Sequence, residues 1–131
     1  MKEYNYTHKS SKVIEMHFYF DNLDKNSNQI ELIINATSNV SQNSNKKEQY
    51  LLTIEFSITE NKTKKVILFM NIANEFELNS NNPLTEKDIN EIISTKVTPD
   101  CLGKGRAIIK DVSKAMGIDP IEVPEFDVEN K

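Results

Sequence analysis

A single cysteine, Cys101, stands in a chain of 131 residues. It excludes an intrachain disulfide framework and suits a reducing compartment, so a cytoplasmic protein is expected. Histidine is almost as scarce, with only His8 and His17. Together with one cysteine they make a poor ligand set for zinc, which usually takes three or four nitrogen or sulfur ligands. Positive charge is not in excess, since the formal net charge is -4. Phosphate attraction needs a concentrated basic face, so nucleic-acid binding is not expected. No apolar run approaches the ~18 residues of a membrane span. The start of the chain, MKEYNYTHKSSK, lacks the apolar core of a secretory signal. At this length one domain, residues 1–131, is expected, with enough buried surface to fold without metal or disulfide.

What is present is alternation. Residues 1–11 are polar and read as a loose N-terminus in which Tyr4 and Tyr6 could dock as a short edge strand. From Val13 to Phe20, Ile14, Met16, Phe18 and Phe20 point one way; Val13, Glu15, His17 and Tyr19 point the other. Period two predicts a strand with one buried face. A second strand is expected from Ile30 to Val40, with Ile30, Leu32, Ile34 and Ala36 inside. The third, Glu48 to Thr59, is the most regular, with Tyr50, Leu52, Ile54, Phe56 and Ile58 as core. The fourth, Lys65 to Leu78, has Val66, Leu68, Met70, Ile72, Phe76 and Leu78 on one face. Ile67, Phe69 and Ala73 make its other face apolar too. Such a strand is usually buried on both faces, and a second subunit could supply the second cover.

Thr85 reads as an N-cap with Asp88 at N3, and Leu84 and Ile89 as its hydrophobic staple. A short helix carrying Ile89, Ile92 and Ile93 should end near Ser94, broken by Val97-Thr98-Pro99. The best amphipathic helix follows. Leu102, Ile108, Ile109, Val112, Ala115 and Met116 form its apolar face; Lys104, Arg106, Lys110, Asp111, Ser113 and Lys114 take the other. Gly117 sits where an αL cap is expected, and Pro120 and Pro124 forbid further helix. Residues 127–131 read as a loose tail. Four strands with short connections, then helices, give an α+β fold: a four-stranded antiparallel sheet followed by a short and a long C-terminal helix.

The stretch from Thr98 to Phe126 is similar to the C-terminal part of SecB, the bacterial export chaperone, and its relatives. Pro99, Cys101, Arg106, Ala107, Ile108, Ile109, Asp111, Val112, Gly117, Pro120 and Phe126 carry the likeness. They match a Cys-Pro-like turn, a long helix with an Ile-Ile-x-Asp-hydrophobic run, then Gly, Pro and an aromatic tail. The order of elements extends the likeness over nearly the whole chain. The resemblance implies an ATP-independent holdase that captures unfolded polypeptide, as in protein export, and a homodimer or homotetramer. It also implies relatives that serve toxin–antitoxin pairs. Family members that dock on the SecA motor use a C-terminal zinc-binding tail rich in Cys and His. This sequence has neither after Cys101, which argues against SecA docking by that route.

The residues themselves point away from catalysis. Cys101 near a helix start lacks an obvious base and reads as a packed thiol. Gly103-Lys104-Gly105-Arg106 lacks the spacing of a phosphate loop and reads as small residues that let the helix approach the sheet. No cofactor, metal or catalytic residue is expected, and membrane insertion is not. Flexible methionines and exterior aromatics suit contact with other polypeptides. Tyr19, Ile67, Phe69, Met70, Ile109 and Met116 are the candidates for oligomer or client contact. The alternative to a general holdase is an oligomeric adaptor or antitoxin-type chaperone for one dedicated protein.

Overall fold

The computed structural model describes residues 3–22, 31–117 and 129–130. Four antiparallel strands make the sheet: β1 (Asn5–Phe18), β2 (Leu32–Gln42), β3 (Gln49–Glu60) and β4 (Val66–Asn79). Their spatial order is β1-β4-β3-β2, and a two-residue β5 (Glu129–Asn130) lies parallel to β2 at its outer edge. β3 is buried at Tyr50, Leu52, Ile54, Phe56 and Ile58, as its alternation requires. β1 begins well before Val13: residues 5–11, expected to be loose, pair with β4 from Asn5↔Asn79 onward. Their polarity suits an edge strand, whose pairing comes from its neighbour and not from its own apolar content. Part of the tail, expected to be loose, is likewise paired as β5; residues 127, 128 and 131 lie outside the described set.

Three bulges change which side chains are inside. β1 shifts register between His8 and Ser10 and between Val13 and Glu15, leaving Lys9 and Ile14 without partners. On the β3–β4 ladder, Leu68 pairs with Ile58 and Val66 with Thr59, so Ile67 is the extra residue. It joins Leu68 in the core instead of facing away, and both are fully buried.

The helices are joined. α1 (Glu86–Ile92) starts on the expected capping box: Asp88 N–H donates to Thr85 Oγ1 (3.1 Å), and Thr85 N–H donates to Asp88 Oδ2 (3.0 Å). The chain does not break at Pro99. One π-helical turn, Ile93–Val97, leads directly into α2 (Thr98–Ala115). Proline has no N–H and clashes with the carbonyl four residues back. Widening the turn, with Thr98 N–H bonded to the Ile93 carbonyl, carries the helix past it. Ile92 and Val97 stay fully buried through this turn.

α2 presses Cys101, Leu102, Gly105, Ile109 and Ser113 onto the sheet. The buried face is therefore rotated from the expected one. Ala115 and Met116 are exposed, whereas Ser113, expected outside, is buried. Its Oγ donates to the Ile109 carbonyl at 2.7 Å, which removes the cost of an unpaired hydroxyl. Gly105 fixes the helix height. A Cβ there would lie 2.6 Å from Cε2 and Cζ of Phe56 and 3.3 Å from Cδ1 of Ile72. No helix among the described residues is long and apolar enough to cross a membrane.

Two predictions follow from this packing. Gly105→Ala should destabilise by about 1–3 kcal/mol through overpacking against the fully buried Phe56 ring. That outweighs the ~1 kcal/mol by which alanine is favoured over glycine inside a helix. At Gly103 a Cβ would meet only Arg106 Nη2, at 3.6 Å, so Gly103→Ala should stabilise. Denaturant unfolding of the two variants should give opposite signs. The second concerns Glu60, whose carboxylate accepts the N–H groups of Thr63 (2.7 Å) and Lys62 (3.0 Å). These bonds, Thr63 first, hold its carboxyl below the ordinary value of 4.5. A lowered folded value contributes stability above the ordinary carboxylate pKa, and that stability is lost as pH falls through the folded value. Between about pH 6 and pH 3 the wild-type Tm should fall further than that of Glu60→Gln.

Candidate functional site

Where the N-terminal turn of α2 crosses β1, several polar side chains meet. Tyr6 Oη donates to Asp100 Oδ2 at 2.8 Å and lies 4.0 Å from Cys101 Sγ. Burial, then the Asp100 bond, pushes the Tyr6 hydroxyl far above its ordinary value. Burial also pushes the Cys101 thiol up to about 11. A thiol so placed stays protonated and is not a nucleophile at neutral pH.

His8 belongs to the same cluster. Its Nε2 lies 2.9 Å from Ser11 Oγ, and Ser11 donates its proton to Asn74 Oδ1 at 2.6 Å. Asn74 Nδ2 donates in turn to the Leu52 carbonyl at 3.0 Å. Serine has one proton to give, so His8 Nε2–H is the donor to Ser11, not the base that activates it. Burial, with Lys104 nearby and Asp100 opposing, holds the imidazole below its ordinary pKa. The relay ties β1, β4 and β3 together; it does not assemble a nucleophile and base. Among the described residues no three His, Cys, Asp or Glu side chains converge as a metal site.

At the other face of the sheet end an open cleft of about 550 Å³ is lined by Lys9, Gln42, Asn43, Gln49, Glu75 and Glu77. Its cation is already matched, Lys9 Nζ lying 3.6 Å from Glu77 Oε2. Tyr50 and Phe76, also in its lining, are buried and stacked on each other at 5.3 Å.

The surface feature that stands out is apolar. Val13, Ile14, Met16 and Tyr19 are exposed by 42, 58, 41 and 45% of their area. Val13 pairs with Ile72 and Met16 with Met70, so both point to the helix side of the sheet yet lie beyond the helix's reach. Beside them His17 bridges two aromatics across the opposite face, 6.2 Å from Tyr19 and 6.2 Å from Phe69. Apolar area is thus exposed on both faces of the same sheet edge, Val13 and Met16 on the helix face and Tyr19 on the opposite one, the kind of surface from which interfaces are built.

Of the six contact candidates, Tyr19 and Phe69 come together here, Phe69 half-buried. Met116 is exposed at the far end of α2. Ile67, Met70 and Ile109 are fully buried in the core of this chain and not on its surface. The bulge at Ile67 and the cover given by α2 are the reasons. Val13, Ile14 and Met16, absent from the six candidates, are exposed instead, and Val13 and Ile14 sit at a bulge. Sequence parity across a bulge misassigns faces.

No family model matches the sequence, and no curated protein matches it. Among solved structures the chain is similar to the SecB-like chaperone Rv1957 of Mycobacterium tuberculosis, determined with a ChAD peptide from the antitoxin Rv1956 HigA1. The likeness covers 92% of this chain and 90% of that one, at 9% identity and a TM-score of 0.73. A protein of unknown function from Streptococcus agalactiae aligns over 94% of this chain and 99% of that one, at 8% identity and a TM-score of 0.45. Identity this low makes the first likeness one of fold. An antiparallel sheet in the order β1-β4-β3-β2, closed on one side by a jointed C-terminal helix, gives this chain the SecB-like fold.

Proposed function

We propose that this chain is an ATP-independent, SecB-like chaperone that binds one dedicated polypeptide partner in the cytoplasm and assembles as a homodimer or larger homo-oligomer. The observation that carries the reading is the fold shared along nearly the full length of a chaperone determined with a bound peptide. The side-chain chemistry agrees with a binder: the one thiol is kept protonated, and the Ser11 proton is committed to Asn74. A dedicated partner is favoured over general capture by the modest extent of exposed apolar surface. Among the described residues it is concentrated on one flank, from Val13 to Tyr19. A general holdase for export, working through long apolar grooves, is the second reading.

Self-association through the β1 flank accounts for that strip. Covering an Ile side chain contributes about 1.5–3 kcal/mol when burial is complete. Light scattering at tens of micromolar should show a dimer or larger species. Ile14→Asp should weaken association at least roughly tenfold, about 1.4 kcal/mol, and leave far-UV dichroism unchanged. Phe69→Asp, at a half-buried position, should weaken it less. A monomeric wild type, or an unchanged multimer in Ile14→Asp, defeats this interface.

The partner class is tested separately. Purified with its natural interactors, the chain should return one protein in stoichiometric amount. At equimolar concentration it should protect that protein from aggregation more than unrelated unfolded proteins. Equal protection of several unrelated proteins makes the general holdase reading the right one. No protection of any, by a properly folded chain, rules out both.

A further inference from the structure

The two outer strands of the sheet are treated differently by the sequence. β1 carries the devices that stop one sheet edge from pairing with another: Lys9, Lys12, Glu15 and two bulges. β2, LIINATSNVSQ, carries none. It has no charged residue, no proline, and a register with β3 that runs without a shift from Leu32↔Glu60 to Gln42↔Tyr50. Its backbone polarity is readable from the two ends. The Glu31 carbonyl accepts from Asn61 N–H, and Asn43 N–H donates to the Gln49 carbonyl, both at 2.9 Å. Backbone groups alternate sides along a strand. The odd-numbered residues therefore bond inward to β3, and Leu32, Ile34, Ala36, Ser38, Val40 and Gln42 present N–H and C=O outward.

That outer edge is already used once. β5, the backbone of Glu129 and Asn130, pairs with it in parallel at Thr37 and Ser38. The remainder, from Leu32 to Ala36 and from Asn39 to Gln42, has no strand partner among the described residues. Ile33 and Val40 flank the occupied segment as exposed apolar side chains. An uncharged edge whose register runs without a shift, and which among the described residues pairs only with the two-residue β5, has the form of a strand-addition site.

We infer that the outer edge of β2 is the acceptor for an extended segment of the partner polypeptide, and that Glu129–Asn130 is the chain's own occupant, displaced when the partner adds. This rests on the polypeptide-binding reading above. Main-chain hydrogen bonds supply the affinity. Ile33, paired with Thr59, and Val40, paired with Leu52, lie on opposite faces of the sheet, so one apolar side chain of the partner on each face, beside Ile33 and beside Val40, supplies the preference. The apolar flank of β1 is left free for the second copy.

The test uses reduced, carboxymethylated α-lactalbumin, a permanently unfolded polypeptide, labelled with fluorescein and followed by anisotropy. Three proteins are compared: the full chain, the chain ended at Val128, and Val40→Pro. Proline is tolerated where an edge N–H faces outward, so Val40→Pro removes one outward donor while the ladder to β3 persists. The chain ended at Val128 should bind at least threefold more tightly. Val40→Pro should bind about tenfold more weakly, the loss expected from one ladder bond left unmade. Amide exchange at Ile34 and Val40 in the full chain should slow when the polypeptide is added. That reading stands even if Val40→Pro fails to fold. If all three bind alike and the β2 amides exchange unchanged, the site is elsewhere, and the polypeptide-binding reading survives without it. If the folded full chain and the truncated chain both fail to bind, the polypeptide-binding reading itself falls. If truncation instead gives a larger homo-oligomer with slowed β2 exchange, the edge belongs to a second copy.

Discussion

Everything in this molecule depends on how closely α2 lies against the sheet, and Gly105 sets that distance. The rings of Phe56 and the δ-methyl of Ile72 occupy the space a side chain would fill. At this height Ile109 and Leu102 reach the β3 and β4 side chains, and the core from Leu52 to Ile72 is dry. The joined helix serves the same end. Had the chain broken at Pro99, α2 would have been free to choose its own angle. The π-helical turn instead transmits the direction fixed by the Thr85–Asp88 capping box into α2 without a loop.

A helix is only about 10–12 Å across with its side chains. Strands stand about 4.8 Å apart, so four strands spread over roughly 14 Å between their outermost axes before side chains are added. One helix laid on β3 and β4, which meets β1 through its N-terminal turn at Tyr6, does not reach the Val13–Met16 part of β1. The open flank at Val13 and Met16 is a geometric consequence of this mismatch, not a local accident: both face the helix side yet stay wet.

How much of this could be read from the sequence follows from where the physics is local. The strict alternation of β3, the capping box at Thr85 and the small residues of α2 each carry their own signature, and each appears where expected. The bulges do not. An extra residue at Ile14 or Ile67 has no composition mark, and past it the parity of every side chain is inverted. Strict parity therefore places Ile67 outside, whereas the bulge turns it inside; parity likewise passes over Ile14, the most exposed of the large apolar side chains among the described residues. Residues 5–11 form strand because β4 offers them a ladder, a cause that lies some seventy residues away in Asn79 and Leu78. Proline was read as a break because its own preference is local; the widened turn that accommodates it is a property of the buried Ile92 and Val97 around it.

The two sheet edges complete the argument. Natural sheets guard an exposed edge with charge, proline or bulges, since an unguarded one pairs with whatever strand it meets. β1 is guarded in its backbone but apolar in its side chains, a combination that admits packing and discourages ladder extension. β2 is the reverse: unguarded in its backbone, with the chain's own Glu129–Asn130 lying against it. Two kinds of contact, side-chain packing at one edge and main-chain pairing at the other, are thus kept on opposite sides of β3 and β4. Sites separated by two intervening strands share no side chain, so occupation of one does not sterically exclude the other. On the proposal made above, a second copy at β1 and an extended polypeptide at β2 would not compete for one surface, as they would on a single apolar face.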